Sequence, residues 1–308
     1  MSTRQVIPLT EPQLHVSIVI CTRDRCDSLQ STLESIARAT VPPNWKVELL
    51  VIDNGSTDST QKVSMSMRLP NIAIRYIAEP RKGKGYAYNT GISAAQGNVF
   101  LCTDDDVRVP HNWIEGMCRP ILEGTAGAVQ GGIKIAPHLD RPWLTGSLRV
   151  WVASVEEAAH PPAGLVGANM AFGREAVAVT GGFDPRLGPG AAGFFDDTVF
   201  GWALERGGQK ILFQPDVAVE HHFSTDRLTL GSYMNSARRM AISRAIVKRD
   251  LEPNNVRPSI LDLMLQIPGL AYRCVTQAFR YLINKQPDEG FVVRYYEFLL
   301  WWALRKTY

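Results

Sequence analysis

Short runs of valine, isoleucine and leucine recur along the first third of the chain, and turn-forming polar residues follow most of them. Such runs are typical of strands that are buried on both faces. Between them, Leu29, Leu33 and Ile36 recur at helical spacing. We expect Ser28 to cap that helix. The pattern predicts strands at residues 16–21, 47–52, 72–77 and 99–103.

Strands that alternate with helices predict parallel β-α-β units with right-handed crossovers. We therefore predict an α/β fold in which helices flank a mainly parallel sheet. In open sheets of this kind, ligands bind beyond the carboxyl ends of the strands. The polar clusters of the sequence lie at these ends, at Thr22-Arg23, Asp53-Asn54 and residues 104–106. We expect them to meet in one cleft.

The second half of the chain has a less regular pattern. It predicts strands at residues 126–135, 165–172, 210–214 and 217–223, and a short helix at residues 197–205. From Leu228 onward the pattern is helical, with many arginines. We expect two parts, namely residues 1–226 and a helical, basic and aromatic C-terminal extension at residues 227–308.

The chain has 308 residues, of which 45% are hydrophobic and 20% charged. These fractions favour a globular protein over a disordered or fibrous one. Residues 227–308 contain 13 basic and 6 acidic residues, whereas the rest of the chain is slightly acidic. The basic end could meet an anionic surface, such as a membrane or a charged acceptor. No basic run is dense enough to predict nucleic-acid binding.

The five cysteines are scattered and form no CxxC pair, which favours free thiols in a reducing compartment. The first fifteen residues lack the apolar segment of a secretory signal. No uninterrupted apolar stretch reaches the roughly 18 residues that a membrane-spanning helix needs. We therefore expect a cytoplasmic protein, with peripheral contact at the cytoplasmic face of a membrane as an open alternative.

Three consecutive aspartates follow the fourth predicted strand. On an extended chain Asp104 and Asp106 point to one face and Asp105 to the other. Paired carboxylates repel each other unless a cation or a donor neutralises them, and carboxylate ligands suit Mg²⁺ or Mn²⁺. A solvated acidic turn is the alternative, but the apolar strand before the aspartates favours a metal site.

A second group, Arg81-Lys82-Gly83-Lys84-Gly85, places three cations beside flexible glycines at the start of a helix. The segment suits a diphosphate, with Lys84 as a ligand, although a solvated basic loop would have the same composition. No Walker A sequence is present, and no GxGxxG motif follows the first strand. ATP-driven phosphoryl transfer and dinucleotide redox chemistry are therefore disfavoured.

Asp196 and Asp197 stand at the start of a predicted helix, where acidic residues commonly cap the helix. The functional alternative is a general base, since a carboxylate near an acceptor hydroxyl can remove its proton. The preceding GPGAAG segment suits a loop that closes over a substrate, or an ordinary linker. Further along, His221 and His222 would face opposite sides of a strand, so one of them could join Asp106 at an ion.

These features occur together, and in this order, in one known family. The sequence resembles a family 2 glycosyltransferase of the GT-A fold in six segments, VSIVICTRDR, VIDNGSTDST, GKGYAYNTGISAAQG, FLCTDDDVRVPHNW, GGFD and DDTVFGWALERGG. The resemblance spans roughly residues 16–223 and rests on the ordered set. It implies a Rossmann-like GT-A domain at residues 1–226, a nucleotide-diphosphate-sugar donor, a divalent ion (Mn²⁺ or Mg²⁺) and inversion at the transferred sugar.

The resemblance also implies roles for donor-binding residues. Thr22, Arg23 and Asp53 would line the nucleoside pocket. Asp104 and Asp106 match the DxD pair of the family, and Asp106 would be the metal ligand.

On the acceptor side, the resemblance makes Asp197 the catalytic base. Asp196 stands where the family usually has glutamate, which leaves open which of the two carboxylates acts. His221 matches a histidine that often follows the last core strand, and it would be a second metal ligand. The expected partners are a nucleotide-sugar donor and a saccharide or lipid-linked acceptor, and the sequence identifies neither sugar.

Three alternatives stay open. Asp106 and Asp197 could form the carboxylate pair of a glycoside hydrolase, although a hydrolase has no use for a nucleotide site. The protein could also be an inactive nucleotide-sugar-binding protein. The C-terminal extension could pack on the catalytic part, perhaps at a homodimer contact, or dock on anionic lipid near a lipid-linked acceptor.

Overall fold

A computed structural model describes residues 14–156, 162–252 and 259–307, so most of the segment behind the secretion-signal prediction lies outside the described residues. The central element is a sheet of eight strands. The strands are β1 Leu14–Thr22, β2 Trp45–Asp53, β3 Ile72–Ala78, β4 Val99–Asp104, β5 Val107–Arg108, β6 Ala128–Ile135, β7 Asn169–Gly173 and β8 Ile211–His221.

The strand order is β3-β2-β1-β4-β7-β6-β8-β5. The first four predicted strands are confirmed as β1, β2, β3 and β4, which are parallel neighbours. β7 runs antiparallel to both β4 and β6, whereas β6 and β8 are parallel and β5 is antiparallel to β8. The predicted α/β fold, with helices around a mainly parallel sheet, is therefore confirmed.

Helices cover both faces of the sheet. Alternate residues of β1 enter different cores, since Val16 and Ile18 pack with α1 and α4 while Val19 packs with α3. The described residues form the helices α1 Cys26–Ala37, α2 Thr60–Ser66, α3 Lys84–Ala94, α4 Trp113–Leu122, α5 Gly146–Trp151, α6 Arg174–Thr180, α7 Asp196–Arg206, α8 Leu230–Leu251, α9 Ile260–Asn284 and α10 Glu289–Thr307.

The first helix begins earlier than predicted. α1 starts at Cys26, so the prediction that Ser28 caps it was wrong. The backbone N–H of Cys26 donates to Asp58 Oδ2 at 2.9 Å. A side chain distant in the sequence thus satisfies the exposed donor at the helix start, and local spacing does not reveal it.

The strand predicted at residues 165–172 is shorter in the structure, because β7 begins only at Asn169. Just before β7, the backbone N–H of Val166 donates to Gln130 Oε1 at 2.7 Å. The N–H of Gly167 donates to Asp197 Oδ2, also at 2.7 Å. Side chains therefore replace strand partners in this segment.

The two strands predicted at residues 210–214 and 217–223 are one strand, β8. Its pairing with β6 shifts register between Gly131 and Ile133, opposite the segment that contains Pro215. Proline has no N–H to donate, and a break in the ladder accommodates it. The predicted break between two strands is therefore a bulge within one strand.

The buried side chain of Asn169 bonds to backbone groups at this bulge. Its Nδ2 donates to the carbonyl oxygens of Gly132 and Val217, each at 2.8 Å. Its Oδ1 accepts from Trp113 Nε1 at 2.9 Å. One amide thus satisfies three buried groups from β6, β8 and α4.

The C-terminal helices form a layer of their own. α10 packs against α8 and α9, and Phe291 and Val292 of α10 join a core that also contains Tyr233 of α8. Within the described ranges, no helix is both long enough and apolar enough to cross a membrane.

We predict that Asn169→Ala lowers the free energy of unfolding by about 2–4 kcal/mol, because it leaves buried donors and acceptors without partners. Urea denaturation measures the change. Asn98→Ala is the matched control at an exposed site, with an expected change within about 0.5 kcal/mol. Equal losses in the two variants would contradict the role of Asn169.

Candidate active site

A cavity of about 630 Å³ lies at the carboxyl ends of β1 and β4. The loop at residues 189–195, the start of α7, the end of β8 and the first turns of α8 also contribute to its lining. Asp106 and Asp197, which are far apart in the sequence, both line this cavity. Thr22-Arg23, Asn54 and residues 104–106 also line it, so the expectation of one shared cleft is confirmed for every member of the polar clusters except Asp53.

The three consecutive aspartates do not alternate as an extended strand would. β4 ends at Asp104, and the next two residues form a turn, so all three line the cavity. Thr22 Oγ1 donates to Asp105 Oδ2 at 2.7 Å. Arg25 Nη1 donates to Asp105 Oδ1 at 2.9 Å and to Asp106 Oδ2 at 3.0 Å. The prediction that Asp105 points away was wrong, because the chain turns before the alternation can continue.

The surroundings separate the pKa values of the two turn aspartates. Burial raises the pKa of Asp105, with Arg25 opposing the shift and the charge of Asp106 adding to it. Burial would also raise the pKa of Asp106, but His221 in its protonated form and Arg25 hold that pKa well below its usual value. Asp106 is therefore anionic at neutral pH, as a metal ligand must be.

Lys84 places a positive charge in the cavity opposite Asp104. Its Nζ forms an ion pair with Asp104 Oδ1 and lies 5.3 Å from the ring centroid of Tyr88. Burial disfavours the charged form of this lysine, but the carboxylates of Asp104 and Asp196 hold its pKa well above the usual value. Lys84 therefore remains a cation.

Asp197 is held at both carboxylate oxygens. Oδ2 accepts from the N–H of Gly167 at 2.7 Å, and Oδ1 accepts from the N–H of Thr198 at 2.7 Å. Burial raises its pKa, while these hydrogen bonds and Lys84 counteract the shift. Asp196 is 5% exposed, and burial together with the charge of Asp197 raises its pKa. Both aspartates line the cavity, where two hydrogen bonds fix the direction of the Asp197 carboxylate and Asp196 is the more buried of the two.

His221 and Asp106 meet as an unusual pair. His221 Nδ1 lies 2.9 Å from the carbonyl oxygen of Val152, so in the neutral ring it carries the proton and Nε2 is left as an acceptor. Nε2 lies 3.3 Å from Asp106 Oδ1, which is buried and has no hydrogen-bond partner. Two adjacent ligands of an octahedral Mg²⁺ or Mn²⁺ lie about 3 Å apart.

The pair therefore fits a divalent cation. Within the described residues no group of three or more histidine, cysteine or acidic side chains could hold an ion. An ion bound by Asp106 and His221 would take its other ligands from substrate phosphates and water, as Mg²⁺ commonly does.

The sequence model of glycosyl transferase family 2 matches residues 17–177, just over half of the chain. The chain belongs to glycosyl transferase family 2. The matched segment contains Thr22, Arg25, Lys84 and the aspartates at the end of β4.

Family 2 relatives are similar over the N-terminal part of the chain. Glycosyltransferase AglE of Haloferax volcanii is 31% identical over 119 residues, which cover 38% of this chain and 38% of that protein. Glucosyl-3-phosphoglycerate synthase of Mycolicibacterium paratuberculosis is 30% identical over 159 residues, which cover 42% of this chain and 46% of that protein. The chain thus spans less than half the length of these relatives.

Solved structures confirm the GT-A fold. One is a mannosyltransferase from Pyrobaculum calidifontis in complex with GDP-Man and Mn²⁺. It has a TM-score of 0.62 at 19% identity, and the match covers 98% of this chain and 88% of the mannosyltransferase. Glucosyl-3-phosphoglycerate synthase from Mycobacterium tuberculosis, in complex with Mn²⁺, UDP and glucosyl-3-phosphoglycerate, has a TM-score of 0.51 at 22% identity. It covers 74% of this chain and 78% of its own.

Arg23 and Asp53, the residues predicted to bind the nucleoside together with Thr22, differ in their position relative to the cavity. Arg23 lines the cavity, and 45% of its side chain is exposed. Asp53 is buried outside the lining, where its carboxylate accepts from the N–H of Ser56 and the hydroxyl of Tyr76, each at 2.8 Å. The neighbouring Asn54 lines the cavity instead. The proposed role of Asp53 stays a prediction.

Several residues that line the cavity are not predicted from the sequence. Arg25 lies two positions after Arg23, in the same turn, and that spacing was the signal available. Arg227 and the start of α8 gave no signal, since their pattern is that of an ordinary basic helix. The α8 residues in the lining are Ser232, Asn235, Ser236 and Arg239. Residues beyond the proposed boundary at 226 thus contribute to the cavity wall, and the division into two parts stays a prediction.

The raised pKa of Asp196 predicts a pH-dependent change in stability. The folded protein binds a proton at Asp196 more tightly than the unfolded chain, so its free energy of unfolding falls as the pH rises from the ordinary pKa of 3.8 through the raised one. Asp196→Asn removes this loss, and we expect it to stabilise the protein by on the order of 2 kcal/mol at pH 8.

Urea denaturation at pH 5 and pH 8 measures the effect, which should be smaller at the lower pH. Asp216→Asn is the control, because Asp216 is exposed. If the free energy of unfolding depended on pH in the same way in the wild type and in Asp196→Asn, the raised pKa would not belong to Asp196.

Proposed function

We propose that the protein transfers a sugar from a nucleotide-diphosphate sugar to an acceptor hydroxyl, with a divalent ion and with inversion at the anomeric carbon. The observation that carries the proposal is that Asp106 with His221, Lys84 and Asp197 line one cavity. A cation site, a fixed positive charge and a candidate base therefore border the same space. Membership of family 2 and the Mn²⁺ and nucleotide complexes of the two fold neighbours support the same chemistry.

The leaving group determines what the donor side must do. Cleavage of the bond to the anomeric carbon leaves negative charge on the nucleoside diphosphate. Asp106 and His221 would hold the divalent ion, which supplies charge neutralisation at the diphosphate. Lys84, Arg25 and Arg227 add fixed positive charge around the same space. These positive charges stabilise the transition state most, because the new negative charge develops there.

Thr22 and Arg23 would bind the nucleoside part of the donor, as the family resemblance implies. Both line the cavity next to the aspartates at the end of β4. Asn54 is a further candidate, because it lines the cavity where Asp53 does not. A saccharide or lipid-linked acceptor, a homodimer contact and a cytoplasmic location stay predictions.

The acceptor side requires a base. Asp197 suits this role better than Asp196, because both line the cavity but Asp196 is the more buried of the two. The N–H groups of Gly167 and Thr198 fix the direction of its carboxylate. A raised pKa also brings it closer to that of an effective base at neutral pH.

Inversion follows from a single displacement. Asp197 takes the proton of the acceptor hydroxyl as the oxygen attacks the anomeric carbon on the face opposite the diphosphate. The bond to the diphosphate oxygen breaks, and its electron pair leaves with the nucleoside diphosphate. No covalent intermediate with the enzyme is required, so the configuration at that carbon inverts.

We predict that Asp197→Asn lowers turnover at least ~10²-fold, because an amide cannot accept the proton of the acceptor. Donor binding should persist, since the substitution leaves the cation side of the cavity unchanged. A transfer assay measures turnover, and calorimetry with the corresponding nucleoside diphosphate measures binding. The control is the exposed Asp216→Asn variant. Unchanged turnover in Asp197→Asn would remove the assignment.

We also predict that activity depends on a divalent ion and that His221→Ala raises the Mn²⁺ concentration for half-maximal activity at least ~10-fold, because one of two protein ligands is lost. Mn²⁺ binding in the presence of UDP, followed by electron paramagnetic resonance, gives a readout separate from turnover. His111→Ala serves as the control at an exposed histidine. Full activity after chelation of metal would contradict this part of the proposal.

A further inference from the structure

The outward side of α9 is apolar along the length of the helix. The exposed fractions of Leu282, Val275 and Leu265 are 74%, 70% and 68%. A helix on the surface of a globular protein normally turns such residues towards the core. A large, contiguous and exposed apolar patch marks a contact with another molecule or a membrane. The exposed apolar stripe recurs at helical spacing at Leu261, Leu265, Tyr272, Val275, Phe279 and Leu282.

The inward side of α9, by contrast, makes polar contacts. Gln277 Oε1 accepts from the N–H of Asp288 at 2.6 Å. Arg294 of α10 donates to Gln266 Oε1 at 3.4 Å, and Arg280 forms an ion pair with Asp288 at 3.0 Å. These contacts tie the polar side of α9 to α10 and the turn before it. Leu270 also packs on the core that contains Phe291, but most of the large apolar side chains of α9 face outward, and turning them inward would break these polar contacts.

We propose that α9 docks on a lipid bilayer that contains anionic lipids, lying in the plane of its surface. An amphipathic helix of this kind inserts its apolar side among the acyl chains near the headgroups. A spanning arrangement is excluded for the described helices, since none could cross a membrane. The stripe also contains Tyr272 and Phe279, and aromatic side chains are common at the membrane interface.

The charge around the stripe selects an anionic surface. Lys285 is exposed just after its C-terminal half, and residues 227–308 hold 13 basic against 6 acidic residues. Long basic side chains can reach lipid headgroups while their stems lie along the apolar surface. A symmetric contact centred on this half of the helix would instead bring the two copies of Lys285 together. Charge complementarity therefore favours anionic lipid over a second copy.

The docked helix would connect the membrane to the active site. α9 packs on α10, α10 packs on α8, and the first turns of α8 line the cavity. Docking would thus anchor a wall of the cavity to the membrane surface, which suits an acceptor carried on a lipid. This last step rests on the proposed function, whereas the docking itself does not.

The test is co-sedimentation of the full chain with vesicles of phosphatidylcholine, with or without phosphatidylglycerol. We expect binding to the anionic vesicles and its weakening by salt. Val275→Gln/Leu282→Gln should weaken that binding at least ~10-fold, because each polar side chain forfeits burial in lipid. Met65→Gln/Val179→Gln, at exposed apolar sites distant in the sequence, should bind as the wild type does. Thermal unfolding verifies that both variants fold.

Absence of wild-type binding to anionic vesicles would overturn the proposal, as would equal binding by the Val275→Gln/Leu282→Gln variant. A lipid-free dimer, detected by sedimentation velocity and abolished by the same variant, would assign the stripe to a second copy and would also overturn it. The assay contains neither donor nor acceptor. Failure of docking is therefore distinguishable from failure of the proposed transferase activity, which the Asp197→Asn assay tests.

Discussion

The architecture of the site depends on balancing buried negative charge. Five aspartates line one cavity, and burial favours the neutral form of four of them, Asp105, Asp106, Asp196 and Asp197. Arg25 bridges Asp105 and Asp106, and Lys84 pairs with Asp104, so two side chains from the first ninety residues hold the end of β4 in place. A nucleoside diphosphate brings more negative charge into this space. The unpartnered oxygen of Asp106 is where an added cation would restore the balance.

The departure from a purely parallel sheet is what positions the candidate base. The segment before β7 does not continue the strand, so the N–H of Gly167 is available to Asp197. Asn169, the first residue of β7, then bonds across the bulge between β6 and β8. After this bulge, β8 pairs with β6 again and ends at His221. Irregular pairing in the sheet therefore sets the positions of both the candidate base and the candidate second metal ligand.

Features encoded locally could be predicted from the sequence, whereas those set by distant partners could not. Strands β1 to β4 were predictable because each is a continuous apolar run that needs burial on both faces. The start of α1 depends on Asp58, and the orientation of Asp105 depends on Thr22 and on a turn that follows β4. His221 was found through the family resemblance, but its tautomer is set by the carbonyl of Val152, which no spacing reveals.

The C-terminal helices show why an amphipathic pattern alone leaves the direction of burial undetermined. α9 and α10 both mix aromatic and basic residues, and the sequence supports either packing or membrane contact for both. The structure separates them, since Phe291 of α10 is buried and Phe279 of α9 is 65% exposed. The periodicity of apolar residues predicts that a helix has one apolar and one polar side, but it does not predict which side packs on the rest of the protein. The polar contact of Gln277 decides that for α9, because this buried amide needs partners that a bilayer could not provide.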